Sequence, residues 1–326
     1  MQSSWLSWAL SAIAMIVAEL AYFKVASRLN IIDKPNERSS HVNPIIRGGG
    51  IIFLFGMVLW FIQSKFLWPF FFAAVVTIAI ISFLDDLKPQ HAGARFLFHL
   101  VAVVLVIYQL WPLPWPAYLI LVAVVVCIGT LNAFNFMDGI NGMAGTYAFV
   151  ALTSFLFIDQ SIVKFTDDRL LWMMIVAVLV FLFFNFRSKA RCFAGDVGSV
   201  TIALVLIFVL LQLIRATGNF LWPLVFLVYG TDSVVTIVYR IRRRENIFKA
   251  HRSHLYQYLC NELGISHLLV SSGYAVAQAL INVVLIIGLV RFNYALVFAV
   301  TLFFVVAYLF VREKVRAKIQ SQVVKE

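Results

Sequence analysis

The chain has 326 residues, 63% of them hydrophobic and only 13% charged, and Lys+Arg 26 against Asp+Glu 15 leave a net charge of +11. A soluble domain carries about 45–50% apolar and about 25% charged residues, so an ordinary water-soluble globular protein is excluded. In a soluble chain this basic excess would suggest nucleic acid, but here the charges sit between apolar runs, and no nucleic-acid partner is expected.

A bilayer-spanning helix needs about 20 predominantly apolar residues. Eleven candidate runs lie near 5–26, 49–67, 69–84, 96–111, 115–134, 143–159, 170–186, 197–215, 220–239, 268–290 and 292–311. At about 20 residues each they consume roughly 220 positions and leave roughly 100 for loops and tails, which is no room for a soluble domain. The expected fold is all-α: a polytopic integral membrane protein of about 11 transmembrane helices, one catalytic domain over 1–326, with loops near 27–48, 85–95, 135–142, 187–196 and 240–267. The first run reads as a membrane helix rather than a signal peptide, because residues 1–5 hold no Lys or Arg and the apolar stretch outruns a typical h-region. Cys127, Cys192 and Cys260 have no regular spacing, and an odd number cannot all pair within the chain.

Lys and Arg accumulate on the cytoplasmic side. With the amino terminus outside, the loops and tail at 24–47, 88–95, 187–191, 240–252 and 312–325 hold 21 of the 26, and the opposite side keeps Lys65, Lys164, Arg169, Arg215 and Arg291. The expected topology is amino terminus out and carboxyl terminus in.

Five polar segments then fall at cytoplasmic loops or helix ends: Asp33 to His41 with Arg47-Gly-Gly-Gly50; Asp85-Asp86; Asn132-Ala-Phe-Asn-Phe-Met-Asp-Gly139; Phe193-Ala-Gly-Asp-Val-Gly198; and His251-Arg-Ser-His254. Asp85 and Asp86 are either a helix stop at the interface or a pair that a proton or divalent cation must neutralise. Asn132, Asn135 and Asp138 are spaced three apart and share a helix face, with Asn141 close behind and Gly139 and Gly142 letting the backbone break. Polar groups at that depth point to function. Asp196 or Ser199 can cap the following helix, and the Gly-Asp-x-Gly turn equally suits a phosphate or a hard, oxygen-liganded metal. Arg242 to Arg244 read as topological charge. His251 and His254 suit a docking loop for a phosphate-bearing substrate, with zinc held by these two and Cys260 as the weaker alternative. Asp232, inside the ninth run, reads equally as a structural anchor or a functional carboxylate, and Glu19 has no evident partner.

Together these motifs resemble the polyprenyl-phosphate N-acetylhexosamine-1-phosphate transferase family, which initiates lipid-linked O-antigen, enterobacterial common antigen, teichoic acid and peptidoglycan precursors. The resemblance runs from Asp33 to Tyr256 through four ordered motifs. It implies transfer of an N-acetylhexosamine 1-phosphate from a UDP-sugar to undecaprenyl phosphate with release of UMP, on the cytoplasmic face of a bacterial inner membrane, as an early step of lipopolysaccharide or other cell-envelope polysaccharide synthesis. It implies catalytic roles for Asp85, Asp86, Asp138 and Asp196, with Asp196 as the Mg²⁺ ligand, Asp85 and Asp86 as further ligands or lipid-phosphate contacts, and Mn²⁺ as a substitute. Substrate contacts follow at His41, Arg47, Asn132, Asn135, Asn141, Phe193, His251, Arg252 and His254, with Phe193 at the position that stacks on uracil. Membrane lipid and a homodimer are further expected partners.

Two departures bear on the sugar. Position 141 is Asn where many relatives carry Asp, and the loop reads His-Arg-Ser-His, closer to O-antigen enzymes that take 6-deoxy sugars such as N-acetylfucosamine or N-acetylquinovosamine. UDP-N-acetylglucosamine and phospho-muramoyl-pentapeptide transfer are the alternatives within the family. A polytopic transporter is the rival from another class. Transporters place polar residues at the bilayer midplane, whereas here they gather at one face.

Overall fold

The computed structural model describes residues 5–33, 44–246 and 252–323. Each of the eleven apolar runs folds as a helix: α1 Trp5–Arg28, α2 Ile51–Gln63, α3 Pro69–Leu87, α4 Ala92–Gln109, α5 Ala117–Met137, α6 Met143–Ser161, α7 Asp168–Asn185, α8 Gly195–Thr217, α9 Leu227–Arg242, α11 His267–Val290 and α12 Tyr294–Val323. A one-turn helix, α10 (Leu255–Gln257), precedes α11. Proline sets two boundaries: Pro69 opens α3, where its missing N–H costs nothing, and a 3₁₀ turn over Trp222–Phe226 leads into α9.

Among the described residues, nine helices are long and apolar enough to cross a membrane, so the chain is a multi-pass membrane protein. Two of the eleven runs fall short. α2 has 13 residues, a rise of about 20 Å against a hydrocarbon core of about 30 Å. α6 carries Thr146, Thr153, Ser154 and Asp159 along its length and is not among the nine.

Among the described residues, the one addition to an all-helical plan is a pair of two-residue strands, β1 (Ile32–Asp33) and β2 (Ile45–Ile46), antiparallel to each other. Ile46 also bridges in parallel to Cys192, so this hairpin is sewn onto the segment that leads into α8.

α8 is predominantly apolar on every side and buried from Val197 to Ile214, which makes it the axis of the bundle. It packs against α2, α3, α5 and α6. Between apolar helices in lipid the association rests on close van der Waals packing and small residues. Phe71 of α3 stacks on Phe208 of α8 with ring centroids 3.7 Å apart, and Tyr147 of α6 stacks on Tyr229 of α9 at 3.5 Å. At the amino end of α8 the packing is backbone on backbone. A Cβ on Gly198 would lie 2.5 Å from the Gly50 Cα, and a Cβ on Gly50 would collide with the Gly198 Cα. That contact brings the Gly48–Gly50 segment onto the start of the central helix.

Candidate active site

The site begins at that glycine contact. Gly49 N–H donates to the Phe193 carbonyl at 2.8 Å, Gly50 N–H to the Ala194 carbonyl at 3.0 Å, and Phe193 N–H to the Ile46 carbonyl at 2.8 Å. The Tyr22 hydroxyl of α1 donates to the Arg47 carbonyl at 2.6 Å. These bonds fix the backbone of Arg47 and aim its side chain across the start of α8.

The first residues of a helix leave N–H groups without intrahelical acceptors. Neither Asp196 nor Ser199 caps α8, contrary to what the sequence suggests, and the cap arrives from another helix. Asp86, at the end of α3, accepts from Asp196 N–H at 2.9 Å through Oδ1 and from Val197 N–H at 3.0 Å through Oδ2. Its Oδ1 also takes the Arg47 Nε–H at 2.6 Å, and its side chain has no exposed surface. Ser199 Oγ turns back on the Gly195 carbonyl and accepts a bond from Asn135. Burial opposes the charge on Arg47, but the carboxylates of Asp86, Asp196 and Asp33 outweigh it and hold the guanidinium above its ordinary value.

Asp85, the other member of the pair, faces the opposite way. Its Oδ1 accepts Gln90 N–H at 2.6 Å and its Oδ2 accepts Arg95 Nη1–H at 3.0 Å. Arg95 also lies 3.9 Å from Asp196 Oδ2, while Arg47 Nη2 is 3.3 Å from Asp196 Oδ1. Asp196 therefore stands between two arginines at a positive helix end with 17% of its side chain exposed, in a cleft lined by Ser82, Asp85, Arg95, His99 and Val200. Arg95 and His99 are functional candidates that the sequence reading passed over, since Arg95 counts there only as topological charge. Their signal is spacing: four apart, they share one face of α4, a turn after Asp85-Asp86.

The Asn132-to-Asp138 motif ends α5. Asn135 Nδ2 donates to Ser199 Oγ at 3.3 Å, which joins this motif to α8. Asp138, just past the helix, accepts from the backbone of Ala144, and burial holds its carboxyl well above the usual range, with the charges of Asp196 and Asp86 adding to the shift. Asn132 instead bonds back to the Ile128 carbonyl of its own helix at 2.9 Å. Asn141 is buried, and its Nδ2 donates to the Arg187 carbonyl at 2.7 Å, so it anchors the segment after α7. Asn185 works beside it: its Oδ1 accepts Gly142 N–H at 2.7 Å and its Nδ2 donates to the Cys192 carbonyl at 2.8 Å.

The histidine loop divides in two. His41 and His251 lie outside the described residues. His254 is buried with Nδ1 3.0 Å from Asp232 Oδ1. Asp232 is the anchor of this region: it also accepts Leu255 N–H at 3.3 Å, Tyr274 O–H of α11 at 2.6 Å and Thr236 O–H at 3.2 Å. Tyr256, two residues on, donates its hydroxyl to the Phe136 carbonyl at 2.8 Å and packs on Gly139. The anchor therefore sets the loop against the Asn132-to-Asp138 motif. Arg252 Nε lies 4.0 Å from Glu262. Cys260 is a buried free thiol pushed up to about 12 by burial, which disfavours the thiolate that zinc needs. Glu19 acquires a partner, accepting from Cys192 Sγ at 3.6 Å beneath Gly49.

Whether a divalent ion fits can be judged from the donor set. Among the described residues no three His, Cys, Asp or Glu side chains form a metal cage. Mg²⁺ does not need one, because it commonly keeps waters and binds through one or two carboxylates plus substrate phosphates. Asp196 and Asp85 face the same cleft and fit that pattern. Asp86 does not, since both its oxygens are committed to Arg47 and to the α8 backbone.

Sequence comparison agrees with this layout. The family described as glycosyl transferase family 4 matches residues 68–214, which run from the start of α3 to the end of α8 and include Asp85, Asp86, Asn132 to Asn141 and Asp196. A Bacillus subtilis (strain 168) protein named "Probable undecaprenyl-phosphate N-acetylglucosaminyl 1-phosphate transferase" is 27% identical over 266 residues, covering 75% of this chain and 73% of the relative. The Escherichia coli (strain K12) "Undecaprenyl-phosphate alpha-N-acetylglucosaminyl 1-phosphate transferase" is 27% identical over 296 residues, 80% of this chain and 75% of its own. A Yersinia pestis protein of the same name is 23% identical over 290 residues, with the same coverage.

Proposed function

We propose that the chain belongs to the polyprenyl-phosphate N-acetylhexosamine-1-phosphate transferase family, a reading supported by the glycosyl transferase family 4 match and the named relatives, and that it transfers an N-acetylhexosamine 1-phosphate from a UDP-sugar to undecaprenyl phosphate and releases UMP. The observation that carries the reading is Asp196, partly exposed at the amino end of α8 and flanked by Arg47 at 3.3 Å and Arg95 at 3.9 Å, with Asp85 in the same cleft. The arrangement offers positive charge and hard oxygen donors together, which is what a diphosphate and its counter-ion require.

In this reaction an oxygen of the lipid phosphate attacks the sugar-bearing β-phosphorus, the bond from that phosphorus to the bridging oxygen breaks, and UMP leaves with the electron pair. Two anions must meet, and Arg47 and Arg95 lower that repulsion and stabilise the charge that develops. Asp196 and Asp85 would hold Mg²⁺, with Mn²⁺ as a substitute, and the ion would supply further charge neutralisation on the diphosphate. Asp86 acts through Arg47 and the α8 amino end as a positioning residue. A phosphate monoester has a second pKa of about 6, so near neutral pH the nucleophile is already largely dianionic and needs no strong base.

The site lies on the cytoplasmic face of a bacterial inner membrane in this reading, supported by 21 of 26 basic residues on the loops and tail of the motif-bearing side. For the sugar, the His251-to-His254 segment supports a 6-deoxy N-acetylhexosamine such as N-acetylfucosamine or N-acetylquinovosamine, in O-antigen synthesis. The names of the relatives favour N-acetylglucosamine as the second reading. The test is UMP release from membranes supplied with undecaprenyl phosphate and a panel of UDP-N-acetylhexosamines, with Mg²⁺ or EDTA. Release with one sugar and Mg²⁺ is expected; silence across the panel would overturn the reaction, and preference for UDP-N-acetylglucosamine would overturn the 6-deoxy assignment.

A further inference from the structure

A second basic site lies outside the catalytic cleft, between the ends of α9 and α12. Arg240, Arg243, Arg312 and Arg316 line one cleft with Tyr239 and Tyr258. Arg312 is built into it: its side chain is 2% exposed, Nη1 donates to Thr236 Oγ1 at 3.1 Å and to the Tyr308 hydroxyl at 3.0 Å, and Nη2 donates to the Ser253 carbonyl at 2.8 Å. The guanidinium lies over the rings of Tyr239 and Tyr258 at 5.2 and 5.6 Å, yet its buried Nε has no acceptor among the described residues. Arg316 lies over the same Tyr239 ring at 5.1 Å.

Among the described residues the carboxylates that pair with these arginines are fewer than the arginines. Glu245 serves Arg240 and Arg243 at 3.1 and 3.9 Å, and Glu313 serves Arg316 at 3.1 Å; both are largely solvated. Asp232, 3.9 Å from Arg312, is spent on His254 and Tyr274. The depth is informative as well. Both helices change from apolar to basic at this level, at Val238-Tyr-Arg240 and at Phe310-Val-Arg312, and within two turns of those arginines the same helices expose Val234, Ile241, Phe310 and Val311. Arginines at headgroup depth, where two apolar helices turn basic, match a phosphate that carries acyl chains.

We propose that this cleft binds the phosphate of an anionic ligand at the membrane surface, with a phospholipid headgroup as the source that its depth on the two helices favours. The reaction proposed above is not needed for this, and neither outcome below depends on turnover.

The test reconstitutes the full chain in phosphatidylcholine nanodiscs containing phosphatidylglycerol and measures lipid retained after detergent extraction by native mass spectrometry. Preferential retention of phosphatidylglycerol is expected, weakened about thirtyfold in an Arg243→Gln/Arg316→Gln variant, the size expected for two interfacial arginines. A second arm titrates inorganic phosphate into protein in neutral detergent and follows the ³¹P linewidth. Saturable phosphate binding that the glutamine variant loses, without a lipid preference, assigns the same site to free phosphate. Melting temperature and UMP release in pure phosphatidylcholine are expected to stay at wild-type values; should the double variant melt low, Arg316→Gln alone replaces it. Binding absent from the wild type in both arms, or equal in wild type and glutamine variant, overturns the proposal.

Discussion

Arg47 and Asp86, 39 residues apart in the chain, meet at 2.6 Å, and the same carboxylate takes the N–H groups of Asp196 and Val197 in the first turn of α8. One side chain thus caps the central helix and orients the arginine beside Asp196. Asp86→Ala removes the cap and leaves Arg47 without its main partner, for an expected loss of about 2 kcal/mol or more. Arg47→Lys keeps the charge but loses the fork that touches two carboxylates. UMP release is expected to fall in both, while thermal unfolding in detergent shows a large drop only for Asp86→Ala. Equal melting of Asp86→Ala and wild type would remove the capping role.

The glycine contact makes a matched pair of substitutions informative. Gly198→Ala puts a methyl group against the Gly50 backbone, which cannot step aside as a side-chain tip can, and about 1–3 kcal/mol of overpacking is expected. Gly230→Ala, in α9, meets nothing within 4 Å and is expected to be neutral or to stabilise by up to about 1 kcal/mol. Melting temperatures of the two variants in one detergent decide it, and a harmless Gly198→Ala would contradict the close approach.

Asp196→Ala is expected to lower Mg²⁺-stimulated UMP release at least about a hundredfold, as removal of a principal charge-stabilising group does. Near-normal release would end its assignment as ligand. Asp85→Asn separates two roles: if Asp85 positions a cation, alkaline buffer does not restore turnover, whereas recovery at high pH would make it the base.

Asp138 carries a pH prediction. Its pKa is raised in the folded chain, chiefly by burial, so the folded state holds this proton more tightly than the unfolded one. The stability it contributes is complete below its ordinary value of about 4 and is lost as pH rises through the folded value. Asp138→Asn, neutral throughout, removes that part of the decline. Melting temperatures from acidic to neutral pH in EDTA should show a flatter profile for the variant; parallel profiles would refute the shift.

Asp232, the one carboxylate of α9, is expected to be costly to remove. Asp232→Ala leaves His254, Tyr274 and Arg312 facing a buried gap, for roughly 3–5 kcal/mol. Tyr256→Phe is milder, about 1 kcal/mol for its bond to the Phe136 carbonyl, and it is expected to raise the KM for the UDP-sugar more than it lowers kcat. A Tyr256→Phe enzyme with unchanged KM would disconnect the loop from the substrate.

Much of this protein is legible in its residues one segment at a time. Hydrocarbon thickness is a local constraint, so each apolar run became a helix without reference to any other, and Lys and Arg counts place Asp85, Asp138, Asp196 and His254 at one end of the bundle. Partnerships across the chain leave no such trace. Asp86 finds Asp196 N–H over 110 residues, and Arg47 finds its carboxylate over 149. Nothing in the dipeptide Asp85-Asp86 says that one carboxylate turns inward as a cap and the other outward to Arg95. Only helix packing decides that, because the direction of a side chain depends on which backbone lies opposite it. The same packing separated His254, drawn down onto Asp232, from a loop that reads in sequence as uniformly substrate-facing. It also brought Arg240 and Arg243, at and just past the end of α9, together with Arg312 and Arg316 of α12 around one cleft, where the sequence by itself shows two unrelated basic stretches.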